Sequence, residues 1–462
     1  MIMIKDIKYT KHGLVIFALT VTFASCSHFQ EGDIFEENAS LRIEHFNDQL
    51  QSCLVAQSSD DKNGWLIQYF VDSNYEGFNL FGRFYDNGKV MLAGNHRFLR
   101  GGNANKYTES SSFYELLKEE GPVLTFNTWN DILTVFVDPV NPSQAPTTIV
   151  SDGEGMHGDQ NLVFSKYENN NILFRGERHQ AEVRFVPCDR SWEDYIKDTE
   201  SFKKKITSSS LNNYYVTDGK DTMLFSGLNQ GAFLYVDRLV DPKQSEVFAC
   251  VFTPEGIHMR ECGKLGEHNF QNFVMGSDGR SLVNEDATVK VVPAWDQYVV
   301  DCSSMWRIDP DHFTQEQTVL YQQMIAEIQK VNSKFELDSI AVGYVSEENE
   351  EKELIYFPGM ILCIHGPKKM GRIPKYYPYI NMGIYKPEYG VIKFEKLTNP
   401  HSSEHMQNFA TTNLLSLCEQ FAAALYGTYT MMPNDFFRPT RVSLTPVGAG
   451  TPTQLRLKDI VD

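Results

Sequence analysis

The sequence has little positive charge, which excludes one large class of partner. Lys and Arg number 42 against 60 Asp and Glu, so that the formal net charge is -18. No lysine- or arginine-rich patch offsets this deficit, and a phosphate backbone would be repelled from most directions of approach. We therefore expect no nucleic-acid partner.

Cysteine is sparse and widely spaced. The eight cysteines lie far apart, and no Cys-x-x-Cys pair occurs. A disulfide framework or a structural zinc site is therefore not expected, and most cysteines are interpreted as small buried apolar residues. One pairing stays open, because Cys250 and Cys262 could meet across a single hairpin.

The common catalytic and nucleotide-binding motifs are missing as well. The sequence contains no G-x-S-x-G elbow, no phosphate-binding glycine loop and no dinucleotide motif. We therefore predict no catalytic residue and no cofactor. Carboxylate pairs for glycoside hydrolysis meet only in the folded protein, so a glycosidase stays open as an alternative.

Long apolar runs are absent except for a short one at the N-terminus. Lys5, Lys8 and Lys11 precede the apolar run at 13–23. Such a run spans about 16 Å as a helix, which is too short for a hydrocarbon core of about 30 Å. Residues 1–25 therefore predict a secretory signal rather than a membrane span.

Small residues stand directly before a cysteine at the end of this signal, in the order Ala24-Ser25-Cys26. The arrangement resembles a bacterial lipobox, in which the cysteine is acylated and becomes the mature N-terminus. We expect a palmitate-type lipid on Cys26 that attaches the protein to the outer membrane, facing the cell surface. Ordinary signal cleavage with Cys26 unmodified is the alternative. The acidic tether 26–37 is either a surface-export signal or a solvated linker.

Alternating apolar residues, broken by turn residues every eight to twelve positions, predict a β-rich α+β fold. We predict antiparallel sheet units with flanking helices in two β-rich regions, 38–209 and 210–300. A smaller C-terminal α+β domain is expected at 301–462. The clearest hairpin contains Asn87-Gly88, which predicts a type I′ turn.

A duplication is also indicated. The segments 181–187 and 287–293 have their apolar residues in the same phase, and each precedes a Trp and a Tyr three residues apart. We interpret this pattern as two similar β-rich halves, although hairpins can resemble one another by chance.

One string of residues resembles a catalytic metal motif. His401, Glu404 and His405 match the H-x-x-E-H order of inverted zinc peptidases, in which two His bind zinc and Glu activates water. The string follows Asn399-Pro400, so it begins in a loop or at a helix cap. We interpret it as a polar cap and keep a zinc peptidase as the weaker alternative.

Two segments without periodicity predict exposed loops. Residues 138–161 are rich in Pro, Gly, Ser and Asp. The second segment carries Tyr376, Tyr377 and Tyr379 between prolines. Exposed rings on a stiff loop would suit stacking on sugars or contact with a protein, so these tyrosines are binding candidates.

Residues 31–195 carry further short features in a fixed order. They are Glu31-Gly32-Asp33, Arg42, Gly64-Trp65, Tyr69, Phe78-Asn79, Asn87-Gly88, 121–127, Gly158-Asp159, Trp192 and Tyr195. Together they resemble an uncharacterised domain family found in Bacteroidota surface lipoproteins. The resemblance implies a setting similar to starch-utilisation-type uptake systems, in which surface lipoproteins help an outer-membrane transporter capture nutrients. It implies no catalytic residues.

These observations lead to one functional hypothesis and one rival. The preferred hypothesis is a non-catalytic accessory lipoprotein of an outer-membrane nutrient-uptake system, which binds a glycan, a peptide or a partner protein. Its expected partners are the membrane, through the lipid on Cys26, and an outer-membrane transporter or that transporter's partner lipoproteins. The rival is a surface hydrolase, either a zinc peptidase or a glycosidase.

Overall fold

The computed structural model describes most of the sequence after the tether. The described residues are 39–72, 76–119, 121–139, 155–207, 211, 213–228, 232–236, 245–301, 305–348, 352–367, 374–398, 404–448 and 452–457. The predicted signal, the tether and Cys26 lie outside these residues.

The first sheet has nine antiparallel strands in the order β4-β3-β2-β1-β9-β8-β7-β6-β5. Its strands are β1 (Trp65–Phe70), β2 (Phe78–Phe84), β3 (Lys89–Gly94), β4 (Thr108–Phe113), β5 (Glu115–Lys118), β6 (Pro122–Thr125), β7 (Asn161–Glu168), β8 (Asn171–Gly176) and β9 (Glu182–Pro187). Helix α1 (Ala39–Gln57) packs on this sheet and adds Leu50 and Leu54 to its core. A 3-10 turn at Thr134–Phe136 follows β6.

The hairpin between β2 and β3 forms where the sequence predicts it, but its turn type is different. Only Gly88 has a positive φ in this turn, at 77°, whereas a type I′ turn needs two such residues. Tyr85 N–H donates to Lys89 O at 2.9 Å, and Gly88 N–H donates to Tyr85 O at 3.1 Å. The loop is therefore a three-residue connection with a glycine bulge, and the type I′ prediction is wrong.

Helix α2 (Trp192–Ile206) leads from the first sheet to a closed eight-stranded barrel, and Ser191 caps its N-terminus. The barrel strands are β10 (Asn213–Thr217), β11 (Thr222–Ser226), β12 (Ala232–Val236), β13 (Ser245–Phe252), β14 (Gly256–Leu265), β15 (His268–Met275), β16 (Leu282–Val283) and β17 (Lys290–Pro293). Phe225, Phe248 and Phe270 pack together inside it.

Helix α3 (Trp295–Val300) leads on to the third sheet, which has ten strands. They are β18 (Met305–Ile308), β19 (Glu336–Glu348), β20 (Leu354–His365), β21 (Lys375–Tyr376), β22 (Tyr379–Asn381), β23 (Gly383–Tyr385), β24 (Val391–Glu395), β25 (Gly427–Pro433), β26 (Arg441–Pro446) and β27 (Thr453–Leu457). A 3-10 turn (Pro310–His312) and helices α4 (Gln315–Val331), α5 (Glu404–Gln407) and α6 (Leu414–Ala423) accompany it. Helix α4 begins with a capping box, in which Thr314 is the N-cap and Gln317 the N3 residue.

The three sheets have one feature in common, namely that the first strand pairs antiparallel with the last. These pairs are β1 with β9, β10 with β17, and β18 with β27. The two similar β-rich halves indicated by the sequence stay a prediction, since the first sheet has nine strands in an open order and the barrel has eight in a closed one. The β-rich, antiparallel α+β fold class is confirmed.

Each of the predicted segments 38–209, 210–300 and 301–462 contains one of the sheets. Independent folding of these segments stays a prediction. Among the described residues, no helix has the length and apolar character needed to cross a membrane. Cys250 and Cys262 are both free thiols, so the hairpin disulfide is absent.

Candidate ligand-binding cleft

A cleft of about 580 Å³ lies between the first sheet and the barrel. Strand alternation explains its polar wall. On β9, Val183 and Phe185 belong to the core of the first sheet, whereas the charged residues Glu182 and Arg184 between them line the cleft. On the barrel side, the cleft is lined by His258 and by other residues of β14 and β15.

The cleft wall is rich in hydrogen-bonding groups and balanced in charge. Four basic side chains face four acidic ones, and five amide side chains lie among them. The basic residues are Lys166, Arg175, Arg184 and Arg260; the acidic ones are Glu168, Glu182, Glu285 and Asp286; the amides are Asn169, Asn269, Gln271, Asn272 and Asn284. Such a wall suits a polar ligand that carries little net charge.

Four of these side chains form a cross-cleft network, which comprises Arg184, His258, Asn272 and Glu285. Nη1 of Arg184 lies 3.3 Å from Nε2 of His258, and Nδ1 of His258 lies 2.5 Å from Oδ1 of Asn272. Nδ2 of Asn272 donates to Oε1 of Glu285 at 2.7 Å. The network is satisfied when Arg184 donates to a neutral His258 that keeps its proton on Nδ1, since the amide oxygen can only accept.

The electrostatics agree with a neutral histidine. Burial lowers the pKa of His258 to about 4, and the nearby guanidinium of Arg184 adds to the effect. Burial also lowers the pKa of Arg184. Among the described residues, no carboxylate lies within ion-pair distance of this guanidinium, so its remaining N–H donors are available to a ligand.

A second charged pair connects the two walls. The guanidinium of Arg260, on β14, lies 3.5 Å from Oε1 of Glu182 on β9, and its Nε is buried without a hydrogen-bond partner. Burial raises the pKa of Glu182, and Arg260 opposes that effect. Beneath these groups lie the buried rings of Phe70, Phe174 and Phe270.

The structure does not test the hypothesis of a zinc peptidase. His401 and the side chains of Glu404 and His405 lie outside the described residues, and α5 begins at Glu404. Elsewhere in the part of the sequence that the structure describes, no group of three or more His, Cys, Asp or Glu side chains is placed to hold a metal ion.

The tyrosine segment is less exposed than the sequence predicts. Tyr379 is fully buried in β22 and stacks with Phe357 at 6.1 Å between ring centroids. Tyr376 and Tyr377 are half-buried, and Tyr376 packs against Phe335. The prediction of an exposed ring is therefore wrong for Tyr379, because short strand pairing with β20 turns this residue into the core. A binding role for Tyr376 and Tyr377 stays a prediction.

The described end of the predicted 138–161 loop is not exposed either. Met156 and Asp159 are buried. The carboxylate of Asp159 accepts hydrogen bonds from the backbone N–H groups of Arg178, His179 and Ala181 at 2.9–3.1 Å. The Gly158-Asp159 feature therefore secures the loop before β9, and so supports the cleft wall from behind.

The cleft residues were not among the candidates found from sequence. Arg184 lies on the first sheet, far in the sequence from His258 and Asn272, which are paired on neighbouring strands of the barrel. The one available signal was Arg184 between Val183 and Phe185, a charged residue in the middle of an apolar strand.

Comparisons with known proteins place the chain in one family. No curated protein matches it in sequence. Two solved structures show a distant likeness, each with a TM-score of 0.12. The DNA polymerase sliding clamp from Bacillus subtilis is 8% identical, and the match covers 90% of this chain and 98% of the clamp. The DNA polymerase III subunit beta from Pseudomonas aeruginosa is 7% identical, and the match covers 90% of this chain and 97% of that subunit. Likenesses at this level say nothing about the function of this chain. A family model described as "Domain of unknown function (DUF4302)" matches residues 31–277, more than half of the chain, and the protein therefore belongs to this family.

Proposed function

We propose that the protein is a non-catalytic accessory lipoprotein of an outer-membrane nutrient-uptake system, and that it binds a glycan in the cleft between the first sheet and the barrel. The observation that carries the ligand class is the charge-balanced wall of arginines, carboxylates and amides around the cross-cleft network. Sugar hydroxyls both donate and accept hydrogen bonds, so they can use every group of such a wall.

The geometry favours a glycan over a peptide or a protein partner. The charges of the wall cancel, so no net potential selects a charged ligand. The donors of Arg184 and the carboxylate of Glu182 lie on the same wall, so one sugar can meet a hydrogen-bond donor and an acceptor there. The buried aromatic rings beneath them provide an apolar floor, as is common in ligand pockets.

The cleft can be tested with purified protein that starts after the predicted signal. A screen of soluble polysaccharides and oligosaccharides should identify a ligand, and Arg184→Met should weaken its binding at least about tenfold, since hydrogen bonds from a charged donor are lost. The matched control is Arg190→Met. Arg190 forms its ion pairs with Asp189, Asp198 and Glu255 away from the cleft. Equal loss in both variants, or no glycan that binds at all, would contradict the assignment.

The membrane part of the proposal rests on the sequence before residue 38. The short apolar run that ends at Cys26 supports a lipid anchor, and the acids of the tether support export to the surface. Labelling cells with radioactive palmitate should mark the wild-type protein and leave Cys26→Ala unlabelled. Equal labelling of the two proteins would exclude lipidation at Cys26.

One observation favours a glycosidase as a second candidate. Burial raises the pKa of Glu182, which a general acid requires, and three other carboxylates line the same cleft. A screen for polysaccharide cleavage distinguishes the two functions. A glycosidase would lose its turnover in Glu182→Gln and still bind its substrate, whereas the preferred function predicts no cleavage by either protein.

A further inference from the structure

A second pocket lies at the same junction, on the other side of the contact between the first sheet and the barrel. It has a volume of about 270 Å³ and is bounded by the start of β2, residues 95–97, helix α2 and strand β13. The cleft described above and this second pocket have no lining residue in common.

Four residues of the second pocket hold buried polar atoms that have no hydrogen-bond partner; Nε of Arg97 lies in an ion pair with Glu76, whereas the other three atoms have no ionic partner either. These three atoms are Oδ1 of Asn79, Nδ1 of His96 and Oγ1 of Thr199. His96 and Thr199 are each only 8% exposed. Leaving a buried polar atom without a partner costs about 1–3 kcal/mol, so three around one pocket indicate that an occupant supplies the missing bonds.

The other polar atoms of these side chains define what the occupant must offer. Nδ2 of Asn79 donates to Phe252 O at 2.7 Å, which leaves Oδ1 as an acceptor. Nε2 of His96 lies 3.0 Å from Ile132 O, so the neutral ring carries its proton there and Nδ1 is an acceptor. Burial lowers the pKa of His96 to about 4, in agreement with a neutral ring. The hydroxyl of Thr199 can donate or accept.

The charges around the second pocket do not favour an ion. Arg97 and Glu76 form an ion pair at 3.0 Å. The ammonium of Lys203 lies 5.2 Å from the ring centre of Phe252, and Glu200 on the same helix balances it. Two positive and two negative groups therefore line the pocket, next to aromatic and aliphatic side chains.

We infer that this second pocket binds one small, neutral, polyhydroxylated molecule of monosaccharide size, whose hydroxyls hydrogen-bond to Asn79, His96 and Thr199. Sugar hydroxyls donate hydrogen bonds to Oδ1 of Asn79 and Nδ1 of His96, and they either donate to or accept from the hydroxyl of Thr199. The C–H face of the sugar ring packs against the apolar wall of the pocket. This site does not depend on the glycan assigned to the cleft, since its lining residues are different.

Ordered water could satisfy the same atoms, and the test separates the two occupants. Binding of glucose, galactose, mannose and N-acetylglucosamine to the mature full-length protein is measured by saturation-transfer NMR and by calorimetry. We expect one of these sugars to bind, and Thr199→Val to weaken its binding about tenfold, because the hydroxyl is lost at nearly constant volume. Thr199→Ser should restore binding.

Two controls keep the result specific. Lys118→Met, at an exposed position on β5 that lines neither the cleft nor the second pocket, should leave monosaccharide binding unchanged. Thr199→Val should retain the thermal stability of the wild type or exceed it, because the hydroxyl has no protein partner in the folded state. Binding that is equal in wild type and Thr199→Val, or the failure of all four sugars to bind, would overturn the inference and assign the pocket to water.

Discussion

The barrel contacts its two neighbours in opposite ways. Towards the first sheet it presents a polar wall, and the contact encloses the 580 Å³ cleft and the 270 Å³ pocket. Towards the third sheet, helix α3 at the end of the barrel presents Asp296, which is fully buried and accepts hydrogen bonds from Lys386 Nζ at 3.2 Å and Gly390 N–H at 3.0 Å. The first contact leaves room for ligands, and the second holds a buried ion pair.

The barrel also has more apolar packing with the third sheet than with the first sheet. Phe437, which precedes β26, belongs to the barrel core, and Trp295 packs edge-to-face on Tyr389 and donates to its hydroxyl at 2.8 Å. Arg438 donates to Lys204 O, and to Thr207 O at 3.0 Å, which fixes the end of α2 as well. Between the first sheet and the barrel, the buried apolar contact is confined to Phe70, Ala249 and Val251 within the described residues. The contact with the first sheet is therefore the more polar and the less tightly packed of the two.

Breaking the buried ion pair should have the largest effect. Asp296→Ala removes a buried carboxylate and leaves Lys386 and the N–H of Gly390 without their acceptor. We expect the free energy of unfolding to fall by about 3–5 kcal/mol. Denaturant unfolding followed by tryptophan fluorescence measures this change. A loss below about 1 kcal/mol would show that the contact with the third sheet is not the firmer of the two.

Acid should weaken the contact between the first sheet and the barrel before it weakens the contact with the third sheet. The pKa of His258 is about 4 in the folded protein against 6.5 for a free histidine, so the stability due to the neutral ring is present above pH 6.5 and is lost as pH falls towards 4. The loss amounts to about 3 kcal/mol. Protonation would place two positive charges, on His258 and Arg184, side by side in the cross-cleft network.

NMR of the histidine side chains reads this titration directly. We expect His258 and His96 to titrate near pH 4, and glycan binding in the cleft to be lost in the same range. In the variant His258→Asn, the part of the pH dependence of stability that comes from His258 should disappear. The part that comes from His96 should remain. A His258 that titrates near pH 6.5 would contradict the neutral cross-cleft network.

The smallest effect is expected at the rim of the contact with the first sheet. The guanidinium of Arg190 lies 2.8 Å from Oε1 of Glu255 across the two units, but the side chain of Glu255 is 61% exposed. Glu255→Gln should therefore cost less than about 1 kcal/mol of unfolding free energy. Thermal unfolding at low and high salt measures this contribution. A larger cost would mean that this salt bridge, rather than the cleft residues, holds the two units together.

Local sequence patterns predicted the elements well, because they depend on neighbouring residues. The hairpin around Asn87-Gly88 forms as expected between β2 and β3. The turn type at Gly88 was missed, since one residue more or less in the loop changes the required φ angles.

The cleft could not be predicted, because it depends on which faces of two sheets meet. Nothing near Arg184 in the sequence specifies that His258 lies opposite it. The same limit explains Tyr379, whose burial follows from pairing with β20 rather than from the prolines around it. Asp159 was interpreted as part of an exposed acidic loop, yet its partners are backbone groups of residues 178–181.

The pairing of first strand with last has a consequence for how the protein is made. Each sheet joins the two ends of its own segment, so its closure requires a long loop and is slow compared with local hairpins. The first sheet and the barrel can close while later residues are still being delivered. In the third sheet, β18 cannot pair until β27 (Thr453–Leu457), close to the end of the sequence, has been made. Until those residues are made, β18 and β26 present unpaired edges at which newly synthesised chains can aggregate.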